Sequence, residues 1–583
     1  MENKIMERIE EWTNPPYDIE TINEIKTLAK DMNEAELTDR FYSILEFGTG
    51  GLRGIVGAGT NRMNIYTVGM ATQGLANYII ANGDKDRGVI IARDSRNKSK
   101  EFAEEAAIIL AGNGIRVFFF DDIMPTPIAS FAIRELNAIS GIVITASHNP
   151  PEYNGYKLYW DDGGQIISPQ DEDIIKEVKK INSIEGIKKT DFLEAIEAGI
   201  ISIIGDDILA SYTQNLEKVV YRKKSESSIK IAYSPLHGTG YKVIPEVLSN
   251  FGFTKLFMEE KQSIPDGNFP TVDYPNPEEK EAMSLIIERA GDVDADILIA
   301  TDPDGDRMGV GFKDKNGGYM LINGNQIGTM LEYYLLKRSS EEGKLPTNGS
   351  IVKTIVTTEL QSKIASDYKC NIDNVLTGFK WIADKMKKYE EKGDKVFIFG
   401  GEESYGYLPV SFVRDKDSIS STYFFVEMAD WLLNRGQTLQ DFLFEIYNKY
   451  GYYIEDLHSL TMKGIDGIDK MKNIIHFFRN TPPENFGGIK IVKIDDILEL
   501  KSTDFLKGGV STIEDLPPSN VLQFFMEDGS KITMRPSGTE PKIKFYFSVN
   551  DKVENKNMEN IKVKLHGKIK IFKNDLLNKI ESI

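Results

Sequence analysis

Three carboxylates at alternate positions carry the clearest chemical signal in this sequence. They are Asp302, Asp304 and Asp306. The apolar run Ile297 to Ala300 directly precedes them and is typical of a buried strand. Pro303 favours extended backbone at the residue before it, and alternate side chains of extended backbone lie on one face. All three carboxylates can therefore meet one cation, and such oxygen ligands suit a hard divalent ion, above all Mg²⁺.

An acidic, solvated turn is the ordinary alternative for such a run. An EF-hand calcium loop is excluded, because its sixth position would be Arg307 rather than glycine and its twelfth Lys313 rather than glutamate. A cation beside Arg307 makes sense if a phosphate joins them, since both attract phosphate oxygens. The run therefore predicts a metal site that works together with a phosphate.

A second loop, T-A-S-H-N-P at residues 145–150, places Ser147 between small residues straight after a predicted strand. A serine there is exposed enough to be a nucleophile or a phosphate carrier, although a plain turn is the alternative. We do not expect the adjacent His148 to serve as its base on sequence position alone, because neighbouring side chains of an extended segment diverge. Acyl transfer is disfavoured, since no G-x-S-x-G elbow surrounds the serine.

Two further loops carry groups that bind phosphates or sugars. R-P-S-G-T-E-P, residues 535–541, gathers a guanidinium, two hydroxyls and a flexible glycine, which together can cradle a phosphate, with a polar β-turn as the alternative. G-E-E-S-Y-G, residues 401–406, offers carboxylates to sugar hydroxyls, although most such pairs are simply solvated. His237, in S-P-L-H-G-T-G, is a cleft residue or, more simply, a loop histidine hydrogen-bonded to the backbone.

Composition limits the kinds of protein and partner. A chain of 583 residues exceeds one core and indicates roughly three to five domains. The formal charge of −19 argues against nucleic acid and anionic membranes as partners. Cys370 is the one cysteine, which excludes an internal disulfide framework and a cysteine zinc site and favours a cytoplasmic location. No apolar stretch approaches the length of a membrane span.

The elements that position the loops follow an α/β pattern, because short apolar runs alternate with helical patterns from Gly48 onward. Predicted strands are Gly88 to Ala92, Val117 to Phe120, Gly141 to Thr145, Ile229 to Tyr233, Ile297 to Ala300 and Lys395 to Phe399. Predicted helices include Ser99 to Ala111 and Asn325 to Arg338.

The two ends of the chain differ from this pattern. The first 46 residues indicate helices broken by Pro15-Pro16, with Asn33 as an N-cap. Near the other end, an alternating run from Val521 meets the hairpin signal Asp528-Gly529, and another strand follows, which indicates a smaller, sheet-based domain. The predicted divisions are 1–46, 47–205, 206–321, 322–455 and 456–583.

Four of these loops follow a predicted strand, which is where α/β folds place ligands, so we expect them to share one cleft. In this order they resemble the phosphoserine loop, metal loop, sugar loop and phosphate loop of the α-D-phosphohexomutase superfamily, the phosphoglucomutase/phosphomannomutase family. The likeness spans roughly Phe47 to Val549. Further matches are F-G-T-G-G-L-R-G from Phe47, N-G-Y-K from Asn154, T-G-F-K from Thr377 and V-R-D-K-D from Val413.

The resemblance implies a heart-shaped protein of four domains, with three similar α/β domains of mixed sheets and a C-terminal TBP-like α+β domain. It implies that Ser147 is carried as phosphoserine, and that one Mg²⁺ per chain is held by the three aspartates and by an oxygen of Ser147 or its phosphate. The substrate-binding residues that it implies are Arg307, Thr377, Gly378, Lys380, Glu402, Ser404, Lys416, Arg535, Ser537, Gly538 and Thr539.

The general acid and base stay open among Arg53, His148 and Lys157. Some family members have a histidine just after the sugar-loop serine, where this chain has Tyr405-Gly406.

The implied reaction is reversible phosphoryl transfer between O1 and O6 of a glucose monophosphate, with glucose 1,6-bisphosphate as intermediate and activator. Mannose, glucosamine and pentose phosphates are alternative substrates. A metal-dependent sugar phosphatase is a more distant alternative, and a silent sugar-phosphate-binding protein would have lost the nucleophile or a carboxylate. The implied partners are a small hexose phosphate and no nucleic acid or membrane, with the chain a monomer or a homodimer.

Overall fold

The computed structural model describes residues 2–31, 33–46, 51–82, 84–181, 183–462, 467–537, 542–553 and 557–583. The chain divides into two compact units. The first unit comprises residues 1–324, 383–393 and 404–433, and the second comprises residues 325–382, 394–403 and 434–583. None of the described helices combines the length and the apolar character that a membrane span needs.

The chain begins with three helices, as the sequence predicts. They are α1 (Glu2–Trp12), α2 (Ile19–Lys30) and α3 (Glu34–Phe41). The predicted N-cap of α3 is confirmed, since the Asn33 side chain accepts a hydrogen bond from the backbone N–H of Glu36 at 3.2 Å. The helices enclose their own apolar cluster, in which the Trp12 ring stacks on Tyr17 and meets Tyr66 edge-on.

A mixed six-stranded sheet follows in the first unit, in the order β1-β5-β4-β2-β3-β6. Its strands are β1 (Gly51–Ile55), β2 (Val89–Arg93), β3 (Val117–Phe120), β4 (Ser140–Ile144), β5 (Tyr153–Trp160) and β6 (Ile201–Ile204). Its helices are α4 (Ile65–Ala81), α5 (Ser99–Gly112), α6 (Thr126–Glu135), α7 (Gln170–Lys179) and α8 (Phe192–Glu197). Strands β2, β3, β4 and β6 run parallel, β5 pairs antiparallel with β4, and β1 pairs antiparallel with β5 at the edge. The β2 and β4 strands are almost wholly buried, which explains their continuous apolar sequence.

A second mixed sheet lies in the same unit, in the order β11-β10-β9-β7-β8. Its strands are β7 (Ile231–Ser234), β8 (Leu256–Met258), β9 (Ile297–Thr301), β10 (Met308–Lys313) and β11 (Tyr319–Ile322). The helices of this region are α9 (Asp206–Glu217), α10 (Gly240–Asn250) and α11 (Ser284–Val293). The buried strand predicted before the acidic run is β9, and all five of its residues are buried.

The second unit contains another α/β region, in which β12 (Gly349–Thr354) pairs in parallel with β13 (Asn371–Val375) and β14 (Val396–Glu402). The helices of this unit are α12 (Gly324–Glu341) and α13 (Glu359–Asp367), whereas most of the next helix, α14 (Lys380–Lys392), belongs to the first unit. The chain then returns to the first unit with β15 (Gly406–Leu408) and α15 (Ser418–Leu433), and α16 (Leu439–Tyr450) follows in the second.

The C-terminal region of the second unit is an antiparallel sheet, in the order β16-β23-β22-β21-β18-β19-β20, with β17 paired to β18. Its strands are β16 (Tyr452–Thr461), β17 (Asn485–Phe486), β18 (Ile489–Asp496), β19 (Lys501–Asp504), β20 (Gly509–Thr512), β21 (Leu522–Met526), β22 (Lys531–Pro536) and β23 (Lys542–Asp551), and its helices are α17 (Gly467–Asn480) and α18 (Met558–Glu581). The hairpin predicted at Asp528-Gly529 joins β21 to β22, and Gly529 adopts φ +82° there.

Three α/β regions and an antiparallel C-terminal sheet confirm the predicted fold class. The predicted strands begin and end within a few residues of the observed ones. The division of the chain at residues 47, 206, 322 and 456 stays a prediction.

Candidate functional site

The three aspartates of the acidic run converge in the first unit, just beyond β9. Each offers a carboxylate oxygen within 4.8 Å of the others, and all three side chains are buried. The expected extended backbone is wrong, because the loop closes as a tight turn in which the Gly305 N–H donates to the Asp302 carbonyl at 3.0 Å. Gly305 adopts φ +66°, and the Asp302 carboxylate accepts the backbone N–H groups of Asp306 and Arg307. The turn, not strand alternation, brings the carboxylates together.

Two lysines from distant parts of the chain balance this buried charge. Lys157, on β5, lies 2.6 Å from Asp304 and 3.1 Å from Asp306, and Lys416 lies 3.1 Å from Asp306. Burial opposes ionisation of these carboxyls, but Lys157 outweighs it and the pKa of Asp304 falls below its usual range. The two lysines pair with Asp304 and Asp306 rather than with Asp302, so burial and the neighbouring carboxylates raise the pKa of Asp302.

The donor set fits a hard divalent cation. One oxygen of Asp304 and one of Asp306 are buried without a hydrogen-bond partner among the residues that the structure describes, although buried carboxylate oxygens ordinarily have one. A cation held by oxygens of all three carboxylates would satisfy both atoms, and a carboxylate-only site suits Mg²⁺ better than a transition metal.

Ser147 lies in the loop that follows β4, and its hydroxyl points at the acidic turn. Its Oγ donates to the Asp302 carboxylate at 2.9 Å and lies 3.3 Å from His148 Nδ1. The expectation that these neighbouring side chains diverge is wrong, because Ser147 adopts φ +54°, in the left-handed region rather than extended. Burial, reinforced by Arg307 and Arg53, lowers the pKa of His148 to about 2, so the imidazole beside the hydroxyl is neutral.

Lys416 is fixed by a neighbour that the sequence analysis missed. Asp415 Oδ1 lies 3.0 Å from the Lys416 ammonium, and its other oxygen accepts from Tyr159 at 2.7 Å and from Gln165 at 2.9 Å. Asp415 is itself buried. The signal for this pair was its position inside V-R-D-K-D, where an aspartate directly precedes the lysine.

Two arginines complete the predicted set of the first unit. Arg307 is partly buried, and its Nη1 donates to Glu278 at 2.5 Å. Arg53 lies on β1 opposite Gly155, and its side chain is exposed. His237 bonds to the Ile264 carbonyl and to Thr271, so the simpler expectation of a structural loop histidine is confirmed.

In the second unit, the sugar-loop glutamate and the T-G-F-K loop meet. Glu402, at the end of β14, is buried and accepts the backbone N–H of Gly378 at 2.8 Å. Thr377 and Lys380, on either side of Gly378, are partly buried. The next loop residue, Ser404, is partly buried and belongs to the first unit.

The predicted phosphate loop begins at the end of β22. Arg535 faces Lys544 across the β22–β23 pair, which sets two cations directly opposite each other on one face. A guanidinium and an ammonium on one face can both contact the oxygens of a phosphate. The N–H of Ser537 donates to the Lys542 carbonyl at 2.7 Å. Lys544 escaped the sequence analysis, which stopped at the loop, and Gly538 and Thr539 lie outside the described residues.

Comparison with known protein families points to the same family that the sequence motifs resemble. The family described as phosphoglucomutase/phosphomannomutase matches in three parts: alpha/beta/alpha domain I over residues 45–185, domain II over residues 210–317 and domain III over residues 323–450. A phosphoglucomutase of Staphylococcus saprophyticus is 36% identical over 92% of this chain and 96% of its own length. One from Staphylococcus epidermidis is 37% identical over 90% and 94%.

Solved structures agree in fold. A putative phosphomannomutase from Thermus thermophilus superposes with a TM-score of 0.67 at 20% identity, covering 92% of this chain and 99% of its own. The open form of parafusin, a phosphoglucomutase from Paramecium, superposes with a TM-score of 0.65 at 18% identity, covering 90% and 95%. At these sequence identities the two structures support the fold and nothing further.

The acidic turn yields a metal-binding prediction. Asp304→Asn keeps the size of the side chain but removes one negative charge, so we expect divalent-cation affinity to fall by roughly tenfold or more. Titration calorimetry with Mg²⁺ and Mn²⁺ on chelator-treated protein measures this. Asp294→Asn, at a side chain 67% exposed, is the matched control for the loss of one charge and should bind as the wild type does. Equal affinities for the two variants would contradict the assignment.

Proposed function

Because the chain belongs to the phosphoglucomutase/phosphomannomutase family, we propose that it interconverts α-D-glucose 1-phosphate and glucose 6-phosphate through a phosphoserine at Ser147. The observation that carries the proposal is the Ser147 hydroxyl, 2.9 Å from a buried aspartate of the acidic turn. A phosphoryl group on that oxygen would lie beside a site for a divalent cation and beside two ammonium groups.

The reaction exchanges one phosphoryl group for another. The P–Oγ bond of phosphoserine breaks as the free hydroxyl of a glucose monophosphate forms a bond to phosphorus. That hydroxyl loses its proton to a base and Ser147 Oγ takes up a proton, so the products are glucose 1,6-bisphosphate and the free serine. The bisphosphate turns over and returns its other phosphoryl group to Ser147 by the reverse step. Mg²⁺, held by the three aspartates and a phosphate oxygen, would neutralise charge on the group in transfer.

The protein's own side chains divide the remaining work. Burial opposes the charge on Lys157, but Asp304 and Asp306 outweigh it and raise the pKa of that lysine, so it stays an ammonium and supplies positive charge. The His148 imidazole lies 3.3 Å from Ser147 Oγ, which places it within reach of a proton that leaves or joins that oxygen. We therefore assign His148 to proton transfer and Lys157 to charge neutralisation, with Arg53 as a further candidate.

Substrate binding is assigned to both units. Gly378 holds Glu402 through its backbone N–H, which fixes a carboxylate that can accept sugar hydroxyls. Arg535, opposite Lys544, is assigned to the phosphate that is not being transferred. The other residues proposed for substrate binding are Arg307, Thr377, Lys380, Ser404, Lys416, Ser537, Gly538 and Thr539.

Glucose 1,6-bisphosphate is proposed as the activator that phosphorylates the resting enzyme. The single cysteine supports a reducing, cytoplasmic location.

The proposal predicts that Ser147→Ala abolishes turnover, because the variant loses the phosphoryl carrier and not a binding contact. Coupled assays with glucose, mannose and ribose 1-phosphates measure isomerisation, and a phosphate assay run in parallel measures hydrolysis. The wild type should favour glucose and release little phosphate. Ser140→Ala is the control, since it removes a buried hydroxyl from β4 that donates only to the Tyr159 carbonyl. Near-normal activity of Ser147→Ala, or phosphate release as fast as isomerisation, would refute the mechanism.

A second prediction concerns Arg535. Its contact with the untransferred phosphate is the same before and during transfer, so losing it should raise KM more than it lowers kcat. Arg535→Ala should weaken glucose 1-phosphate and glucose 6-phosphate alike, by roughly 10- to 150-fold in affinity. Steady-state kinetics in both directions test this. The control is Arg479→Ala, which breaks a 2.9 Å pair with Asp496 in the same sheet region. If the affinity for only one of the two monophosphates falls, Arg535 does not bind the untransferred phosphate in both orientations of the sugar.

A further inference from the structure

We propose that Arg96 is a positioning residue that orients the Ser147 hydroxyl toward Asp302. The proposal rests on the proposed function in one respect, since it takes Ser147 as the phosphoryl carrier. Arg96 follows β2 in the segment A-R-D-S-R-N-K-S, residues 92–99, to which the sequence analysis gave no role. Its side chain is buried and bonds to the serine loop.

The serine loop needs an external brace because its backbone is strained. Ser147 adopts φ +54°, a conformation that costs energy for a residue with a side chain and persists only where surrounding contacts enforce it. That conformation is what turns Oγ toward Asp302 at 2.9 Å. A relaxed, extended loop would carry the hydroxyl away from the acidic turn.

Arg96 supplies the brace through four backbone carbonyls. Its Nη2 donates to the carbonyl of Ser147 at 2.6 Å and to that of Asn149. Its Nη1 donates to the carbonyl of Pro150 at 2.7 Å and to that of Tyr153 at 3.0 Å. One planar guanidinium therefore ties together the loop from Ser147 to the start of β5. A lysine could not replace it, because a single ammonium cannot reach four carbonyls in this fork geometry.

Arg96 is itself fixed from two sides. Its Nε lies 3.4 Å from the Asp94 carboxylate, which also accepts the Arg96 backbone N–H at 2.9 Å and the Ser99 hydroxyl at 2.7 Å. The ring of Phe269 lies 4.9 Å from the guanidinium carbon, in cation–π geometry. The buried charge is thus paired and cannot swing freely.

The other side of the Ser147 peptide is held within the serine loop. The Thr145 side-chain oxygen accepts the Ser147 backbone N–H at 2.8 Å. The N–H and the C=O of Ser147 are therefore both anchored, one by Thr145 and one by Arg96. Phosphoryl transfer depends on placing the reacting oxygen within a fraction of an ångström, so this double anchorage bears on rate.

The fold offers a matched control at the opposite end of the same strand. Arg87 precedes β2 and donates to the carbonyls of Asn137 at 3.0 Å and Ala138 at 3.3 Å, in the turn that enters β4. Arg96 follows β2 and braces the loop that leaves β4. Both arginines hold backbone carbonyls of one sheet, but only Arg96 holds those around Ser147.

The test compares Arg96→Ala, Arg96→Lys and Arg87→Ala in the full-length protein. We expect both Arg96 variants to lose about 100-fold in kcat and in the rate at which glucose 1,6-bisphosphate phosphorylates Ser147, with little change in KM. Arg87→Ala should lower the unfolding temperature and keep kcat. Added guanidinium ion, at concentrations too low to unfold the protein, should restore part of the activity of Arg96→Ala but not of Arg96→Lys.

Hydrogen exchange gives a readout that needs no substrate. Exchange of the Ser147 and Asn149 amides should speed up in the Arg96 variants and not in Arg87→Ala. Full activity in Arg96→Lys, or activity losses that follow the unfolding temperature equally in all three variants, would overturn the proposal. Unchanged amide exchange in Arg96→Ala would overturn the Arg96 proposal, whatever reaction the wild type catalyses. If only the proposed function is wrong, the wild type isomerises no sugar phosphate but the exchange difference between the variants is still seen.

Discussion

The buried negative charge of the acidic turn is the constraint on which the rest of the site depends. Carboxylates whose oxygens lie within 4.8 Å of one another, all buried, repel strongly, and burial removes the water that would screen them. The protein offsets this with Lys157 from one sheet, Lys416 from beyond β15 and two backbone N–H groups on Asp302. The two carboxylate oxygens that have no hydrogen bond within the described structure are the atoms that a divalent cation would satisfy.

Loops at strand ends hold the predicted site residues. In the first unit, Ser147 follows β4 and the acidic turn follows β9. In the second unit, Glu402 closes β14 and Arg535 lies near the end of β22. Hydrogen bonds fix the serine loop, the acidic turn and the Glu402 carboxylate. Fixed polar groups suit phosphoryl transfer, in which the protein contributes mainly position and charge, with little covalent chemistry beyond its nucleophile.

Features that are formed by adjacent residues and follow a known pattern could be predicted from the sequence. The acidic run, the serine loop and the hairpin at Asp528-Gly529 were all found, because a few adjacent residues carry each signal. The resemblance named Lys157 as an acid/base candidate and Lys416 as a substrate-binding residue. Their approach to one carboxylate was not predicted, since it depends on strand order and not on spacing. The two geometric errors share one cause: the run of residues at Asp302 and at Ser147 was assumed to be extended, but each forms a turn that neighbouring bonds enforce. At Ser147 these bonds include those of Arg96, which lies 51 positions earlier in the chain, so they leave no local pattern.

Transfer of a labelled phosphoryl group tests the central claim most directly. Protein phosphorylated at Ser147 with radiolabelled phosphate is mixed with one equivalent of unlabelled glucose 1-phosphate and quenched within a turnover. The account predicts that label leaves Ser147 and appears at O6 of glucose, first in the bisphosphate and then in glucose 6-phosphate, while unlabelled phosphate from O1 replaces it on the serine. Label that stays on the protein, or that appears as free phosphate, would contradict the account.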